Sequence, residues 1–337
     1  MRGRRAQILV EVVDRYIRTK KPVSSQEIVQ VYRHRLSSAT IRNELHALEK
    51  EGYLYKPHVS AGRVPTVQGF RFFAHWLLAM AETEPREAGL PMEPQLASVL
   101  PPLPELFRRT ALLLSGMTGG LGFVVPPSQE EVGTIGVVLR EIRPGLVLAA
   151  TVSELGVMEA RLLSAPADLE PEELREAEEW LSTRLQARRS AWDQPPSLWE
   201  SRASHLAHQL LQEIRETPPI SRIFVEGWPQ LLSELAAHSP EWALEKIRAL
   251  LELLGDEVAF LDLLEDLRAG QAGLTAHVGL DQIPELQDLS LITAPYFSGR
   301  GILGVAGPLW MDYARAFTAV RYLASRLQSL LRQGGEA

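Results

Sequence analysis

Apolar residues recur at helical spacing from the first turns of the chain. Ile8, Leu9, Val12, Val13, Tyr16 and Ile17 lie three and four apart, which predicts a helix over 4–19 with one apolar face. Lys20, Lys21 and Pro22 interrupt it. Ser24 and Glu27 follow at the spacing of a capping box, in which two side chains satisfy the free amides at a helix start, so a short second helix is expected to run to about Tyr32. Ser37 offers another N-cap, and Ile41, Leu45 and Leu48 form a stripe that ends near Gly52, a helix stop; this predicts a third helix. Residues 53–56, 57–62 and 63–66 then read as strand, turn and strand. From Val67 a further helix places Phe70, Phe73, Leu77 and Met80 on one side, expected to pack as core.

The pattern changes beyond residue 83. Proline and glycine cluster over 84–104 and 116–127, which reads as linkers or loops. Residues 134–142, 146–152 and 157–163 alternate or run apolar with β-branched side chains, a three-stranded meander, followed by helical patterns over 171–188 and 197–215. A strand over 220–225, helices over 242–254 and 257–268, and strands over 274–278, 289–294 and 301–305 come next. A final helix over 311–331 has Met311, Ala314, Phe317, Val320, Leu323, Leu327 and Leu330 as its stripe. The whole predicts an α+β multidomain chain with a mixed antiparallel sheet flanked by helices.

Charge alters this picture more than composition does. The total of −7 hides an asymmetry: residues 1–75 hold fourteen Lys and Arg against six Asp and Glu, a net +8, which leaves −15 for the rest. Phosphate contacts dominate nucleic-acid affinity, so a basic head on an acidic body places any such binding in the head. No long uncharged apolar run occurs, and Glu11 and Asp14 interrupt the first apolar stretch, so neither a membrane span nor a signal peptide is expected. The chain has no cysteine, which excludes disulfides, thiolate metal sites and cysteine nucleophiles and fits a cytoplasmic protein.

If Ile41, Leu45 and Leu48 face a core, Ser38, Ala39, Arg42, Asn43 and His46 turn outward, with Thr40 beside them at the helix start. Arg can pair with guanine and Asn with adenine in bidentate fashion in the major groove, and Ser and Thr near a helix N-terminus suit phosphate oxygens. A solvated helix face would show the same polarity. Asn43 is nevertheless the only asparagine in the chain. A hairpin after such a helix is a wing, whose Lys56, His58, Ser60 and Arg63 could reach phosphate or the minor groove. Arg4 and Arg5, with Arg2, could add a flanking phosphate contact.

These residues resemble a known family. The runs 36–45 (LSSATIRNEL), 48–54 (LEKEGYL) and 57–66 (PHVSAGRVPT), together with 307–315 (GPLWMDYAR), are similar to the heat-inducible transcription repressor family HrcA. The likeness weakens in the middle and around 85–104, and the basic start is a departure. The resemblance implies a winged helix-turn-helix over 1–80 and a linker with the first part of a GAF-like α/β domain over 81–128. It further implies a dimerisation module inserted over 129–218 and the remainder of the GAF-like domain over 219–337. It also implies a dimer that binds an inverted-repeat DNA operator of chaperone and chaperonin operons, is released by heat, and has the chaperonin as a partner.

Enzyme chemistry finds no positive support. Gly299, Gly301 and Gly304 match G-x-G-x-x-G, but Val305, Ala306, Gly307 and Pro308 follow where a dinucleotide site needs a helix; a glycine-rich hairpin is expected. His205 and His208 with Glu213 fall on one expected helix, yet lack a fixed third ligand, and no metal or other cofactor is expected. Walker loops, G-x-S-x-G and H-E-x-x-H are absent. The alternative function is a metabolite-responsive winged-helix regulator that senses a small ligand in its GAF-like domain.

Overall fold

The first 83 residues fold from local signals. A computed structural model describes residues 3–32, 36–58, 61–83, 102–127, 134–153, 158–186, 207–209, 212, 223–268 and 273–335. Helix α1 (Arg4–Thr19) buries Ile8, Leu9, Val12 and Val13 and ends at Lys20, which takes a left-handed conformation (φ 55°). The capping box at α2 (Ser25–Val31) is formed in both directions: the Glu27 amide donates to Ser24 Oγ at 3.3 Å and the Ser24 amide donates to the Glu27 carboxylate at 2.7 Å. Helix α3 (Ser38–Lys50) starts on Ser37, whose hydroxyl accepts from the Thr40 amide. Strands β1 (Leu54–Tyr55) and β2 (Val64–Pro65) pair antiparallel, and Arg63 adds a bridge to Val23. Helix α4 (Val67–Thr83) buries Phe70 and Phe73, whereas Met80 is exposed, so the expected stripe turns into solvent before the helix ends.

The stretch read as a loop over 116–127 is a correction. Helix α5 (Leu103–Thr118) occupies its start and strand β3 (Leu121–Val125) its centre, with every residue of β3 buried. Glycine density was misleading because those glycines serve packing. Gly119 takes the left-handed conformation that closes α5, and a Cβ on Gly122 would collide with the Ala111 carbonyl of the same helix. The helix and strand therefore pack with almost no separation.

Strand β3 belongs to a five-stranded antiparallel sheet. Strands β4 (Thr134–Arg143), β5 (Leu146–Ser153) and β6 (Met158–Ser164) form a separate antiparallel meander, backed by α6 (Pro171–Gln186). After it come β7 (Phe224–Glu226), α7 (Trp228–Ala236), α8 (Pro240–Gly255), α9 (Glu257–Arg268), β8 (Thr275–Val278), β9 (Leu289–Tyr296), β10 (Gly301–Pro308) and α10 (Tyr313–Gly335). The large sheet runs β7-β3-β10-β9-β8. Most of the predicted 197–215 helix and the start of the 220–225 strand lie outside the described residues.

Alternation along each strand divides the sheet between two cores. Val124, Ile292, Ala294, Leu303 and Val305 face α5 and α10. Leu121, Phe123, Leu291, Ile302 and Ala306 face α7, α8 and α9. The first core continues without a break into the head, where it takes in Ile41, Leu45 and Leu48. Along α10, Phe317, Val320, Leu323, Leu327 and Leu330 of the expected stripe are buried, joined by Tyr313, Ala316, Ala319, Ala324 and Leu331, whereas Ala314 is exposed. The glycines at 299, 301 and 304 lie in and after the β9–β10 turn, where β10 continues as strand to Pro308.

Candidate nucleic-acid interface

Helix α3 has one sealed face and one open face. Ile41 and Leu48 are fully buried and Leu45 nearly so. Ser38, Ala39, Arg42, Asn43 and His46 are exposed, and Thr40 is half-buried, its hydroxyl 2.8 Å from that of Ser37. Arg42 forms no ion pair with any described residue. An arginine and an asparagine on one turn, and a histidine on the next, thus stand on the open side of a helix that the core holds by the other.

Carboxylates surround that face and bind most of the other cations predicted for the site. Glu44 accepts from Arg5 Nε at 2.8 Å and from Arg4 Nε at 3.2 Å, and Arg5 also pairs with Glu51. The Arg5 hydrogen bond holds the Glu44 carboxyl below the usual carboxylate range, against its desolvation. Glu49 binds Arg63 Nε at 2.7 Å, lies 3.4 Å from His46 Nδ1 and 3.8 Å from Lys56 Nζ. Burial pushes the Glu49 carboxyl up, but the hydrogen bond and charge of Arg63, with the contacts of His46 and Lys56, together outweigh it and hold the group below its ordinary value. The Arg63 and Glu49 side chains are only 12% and 17% exposed. Arg63 therefore ties the hairpin to α3, and Arg4 and Arg5 tie the start of α1 to it. His58 is exposed in the turn, and Ser60 lies outside the described residues.

Sequence reasoning missed how the head is fastened to the body. Lys20 Nζ donates to the Trp310 carbonyl at 2.7 Å and lies 3.2 Å from the Glu234 carboxylate, which also accepts from Trp310 Nε1. Arg71 donates from Nε and Nη2 to the Val278 carbonyl and reaches Asp281 at 2.8 Å. Phe73 meets Tyr313 edge-on, with ring centroids 6.2 Å apart. The single local signal was the basic pair interrupting the first helix; the acceptors lie more than 200 residues away.

Known proteins are similar to this chain over almost its whole length. The family model described as HrcA protein C terminal domain matches residues 104–317. A heat-inducible transcription repressor HrcA from Syntrophobacter fumaroxidans is 31% identical, over 98% of this chain and 97% of that protein. The chain belongs to the HrcA family. A second HrcA, from Thermomicrobium roseum, is also 31% identical, over 98% of this chain and 95% of its own. A crystal structure of a hypothetical protein, determined at 2.2 Å, superposes with a TM-score of 0.66 and 27% identity over 99% of both chains. The likeness to HrcA proteins thus includes the head, which lies before the residues matched by the family model. Among the described residues no helix is long and apolar enough to cross a membrane, and no group of three or more His, Cys, Asp or Glu side chains could hold a metal ion.

Proposed function

We propose that this chain, a heat-inducible transcription repressor by family, represses by inserting α3 into the major groove of duplex DNA. The head is read as a winged helix-turn-helix, with α2 and α3 as the motif and β1–β2 as the wing. Arg42 and Asn43 read base edges, Ser38, Ala39 and Thr40 approach the backbone at the helix start, and His46 follows the groove one turn on. Lys56, His58 and Ser60 meet phosphate from the wing. Arg63, Arg4 and Arg5 take part chiefly by fixing α3, because their guanidinium groups are already engaged by Glu49, Glu44 and Glu51. The observation that carries this reading is the open polar face of α3 opposite its sealed Ile41, Leu45 and Leu48 side.

The wider reading follows the family. The body is taken as a GAF-like domain with the β4–β6 meander and α6 as part of an inserted dimerisation module. A two-fold dimer would place two heads on an inverted-repeat operator of chaperone and chaperonin operons in the cytoplasm, released by heat and with the chaperonin as partner. No enzymatic step is proposed. Selection of sequences from random duplex DNA by the full chain, at a low and a high temperature, tests this. An inverted repeat enriched only at the low temperature is expected; failure to enrich any sequence at either would defeat it.

A further inference from the structure

The acidic body carries an apolar seam that its own core covers only in part. Helix α8 turns Ala243, Lys246 and Leu250 inward, where all three are buried, and this side attaches it to the body. Beside them run Leu244, Ile247, Leu251 and Leu254, at spacings of three, four and three. Ile247 and Leu254 are half-buried at the margin of the core, whereas Leu244 and Leu251 are 64% and 53% exposed. A single exposed leucine is ordinary on a protein surface. Apolar positions in a three-four rhythm are instead the seam of a helix-on-helix contact, in which side chains of one helix seat between those of another. The row covers about 15 Å, some three turns, at about 1.5 Å per residue.

Charge selects what can lie on this seam. Residues 228–268, which make up α7, α8 and α9, hold nine Asp and Glu against three Lys and Arg. Of those cations Lys246 is buried, donating to the Glu285 carbonyl at 2.6 Å, and Arg248 is engaged by Glu252 at 2.8 Å. The open edge of the seam is formed by Glu241, Glu245, Arg248 and Glu252, all exposed, with three carboxylates to one guanidinium. A second copy of the chain would bring an equally acidic surface to the contact, which like-charge repulsion opposes. A helix with its own apolar row flanked by Lys or Arg is complementary in both respects.

We propose that the 244–254 seam of α8 binds a cationic amphipathic helix of another protein, whose apolar row packs on Leu244 and Leu251 while its cations meet Glu241, Glu245 and Glu252. This contact is independent of DNA binding by the head. It is tested on the full chain by fluorescence anisotropy at physiological ionic strength, with labelled peptides of about 18 residues, long enough to cover the seam. The first peptide has leucine at the two seam positions of each heptad and lysine and alanine elsewhere. A second has the same composition in scrambled order, and a third has glutamate in place of lysine. The first should bind, and the other two should not. Leu244→Ser and Leu251→Ser should each weaken binding at least about tenfold, the scale of one leucine side chain withdrawn from the contact. Glu245→Gln combined with Glu252→Gln should weaken binding and flatten its dependence on salt. Leu112→Ser, at an exposed leucine of α5 on the other side of the sheet, should leave it unchanged. Circular dichroism verifies folding of each variant, and because Leu244 and Leu251 are exposed, both serine variants should keep the parent's melting curve. Absence of binding by the first peptide, binding of the scrambled or glutamate peptide as tight as the first, or affinity unmoved by both leucine changes would each overturn the proposal. Loss of self-association in Leu244→Ser, seen by sedimentation, would also overturn it by giving the seam to a second copy.

Discussion

The outward face of α3 and the belt of ion pairs around it use similar side chains in opposite ways. On the face, Arg42 and Asn43 point away from the core and Arg42 has no carboxylate partner among the described residues. In the belt, Arg4, Arg5, Lys56 and Arg63 each lie within ion-pair distance of Glu44, Glu49 or Glu51. The net +8 of the first 75 residues therefore overstates the charge ready to meet phosphate. Much of it sets the position of a helix. A charge count points to where phosphate would be met, but only the pairing shows which cations are available.

The largest expected effect breaks the sealed side. Leu45→Ala deletes a side chain that is almost completely buried and should destabilise the head by about 2–5 kcal/mol, seen as a lower denaturation midpoint. An unchanged midpoint would mean that α3 is not held by that face. On the open side, Arg42→Ala and Asn43→Ala should each remove about 1–3 kcal/mol of preference for the selected DNA sequence over random duplex. Their melting curves should match the parent, since surface changes away from caps and cores shift stability by only about 0.5 kcal/mol. Loss of affinity for both DNAs alike would assign these residues to phosphate instead of bases.

This contrast also marks what the sequence could reveal. The three head helices, the capping box and the two faces of α3 were legible because their signals are local, with Ile41, Leu45 and Leu48 within seven residues of one another. The pairs Arg5–Glu44, Arg63–Glu49 and Lys20–Glu234 were not, because the partners are 39, 14 and more than 200 residues apart and nothing in a single sequence couples them. Strand β3 was hidden for a different reason. The glycines that let it lie against α5 look, in isolation, like turn residues.

Arg63 sharpens the comparison at intermediate size. Arg63→Gln leaves the mostly buried Glu49 carboxylate with the weaker contacts of His46 and Lys56, and should cost about 1–2 kcal/mol of stability. Because Glu49 titrates below its ordinary value in the folded chain, the contribution is present at neutral pH and is lost as the pH falls through the acid range. The variant should accordingly show a flatter stability profile on acidification, measured by urea unfolding at a series of pH values. Its affinity for selected and random DNA should fall in parallel if it moves the β1–β2 hairpin and not a group proposed to read bases. A selective loss for the operator alone would place Arg63 with Arg42.

The smallest effect is expected at the capping box, which belongs to neither group and serves as their reference. Ser24→Ala removes the acceptor for the Glu27 amide and should lower stability by about 1 kcal/mol. Glu27 is held below the ordinary carboxylate value of 4.5, first by the hydrogen bond it accepts from the Ser24 backbone amide and then by the Ser24 side chain. A carboxyl depressed on folding stabilises the native state at pH values above 4.5 and ceases to do so as the pH falls through the folded value. Glu27→Gln keeps an acceptor for that amide without a titrating group, so its stability should vary less with pH below 4.5 than that of the parent. Neither variant touches the open face of α3, and both should keep the parent's ratio of selected to random DNA affinity. A changed ratio would show that sequence reading depends on how firmly α2 is seated, and that the division between reading face and supporting belt is too sharp.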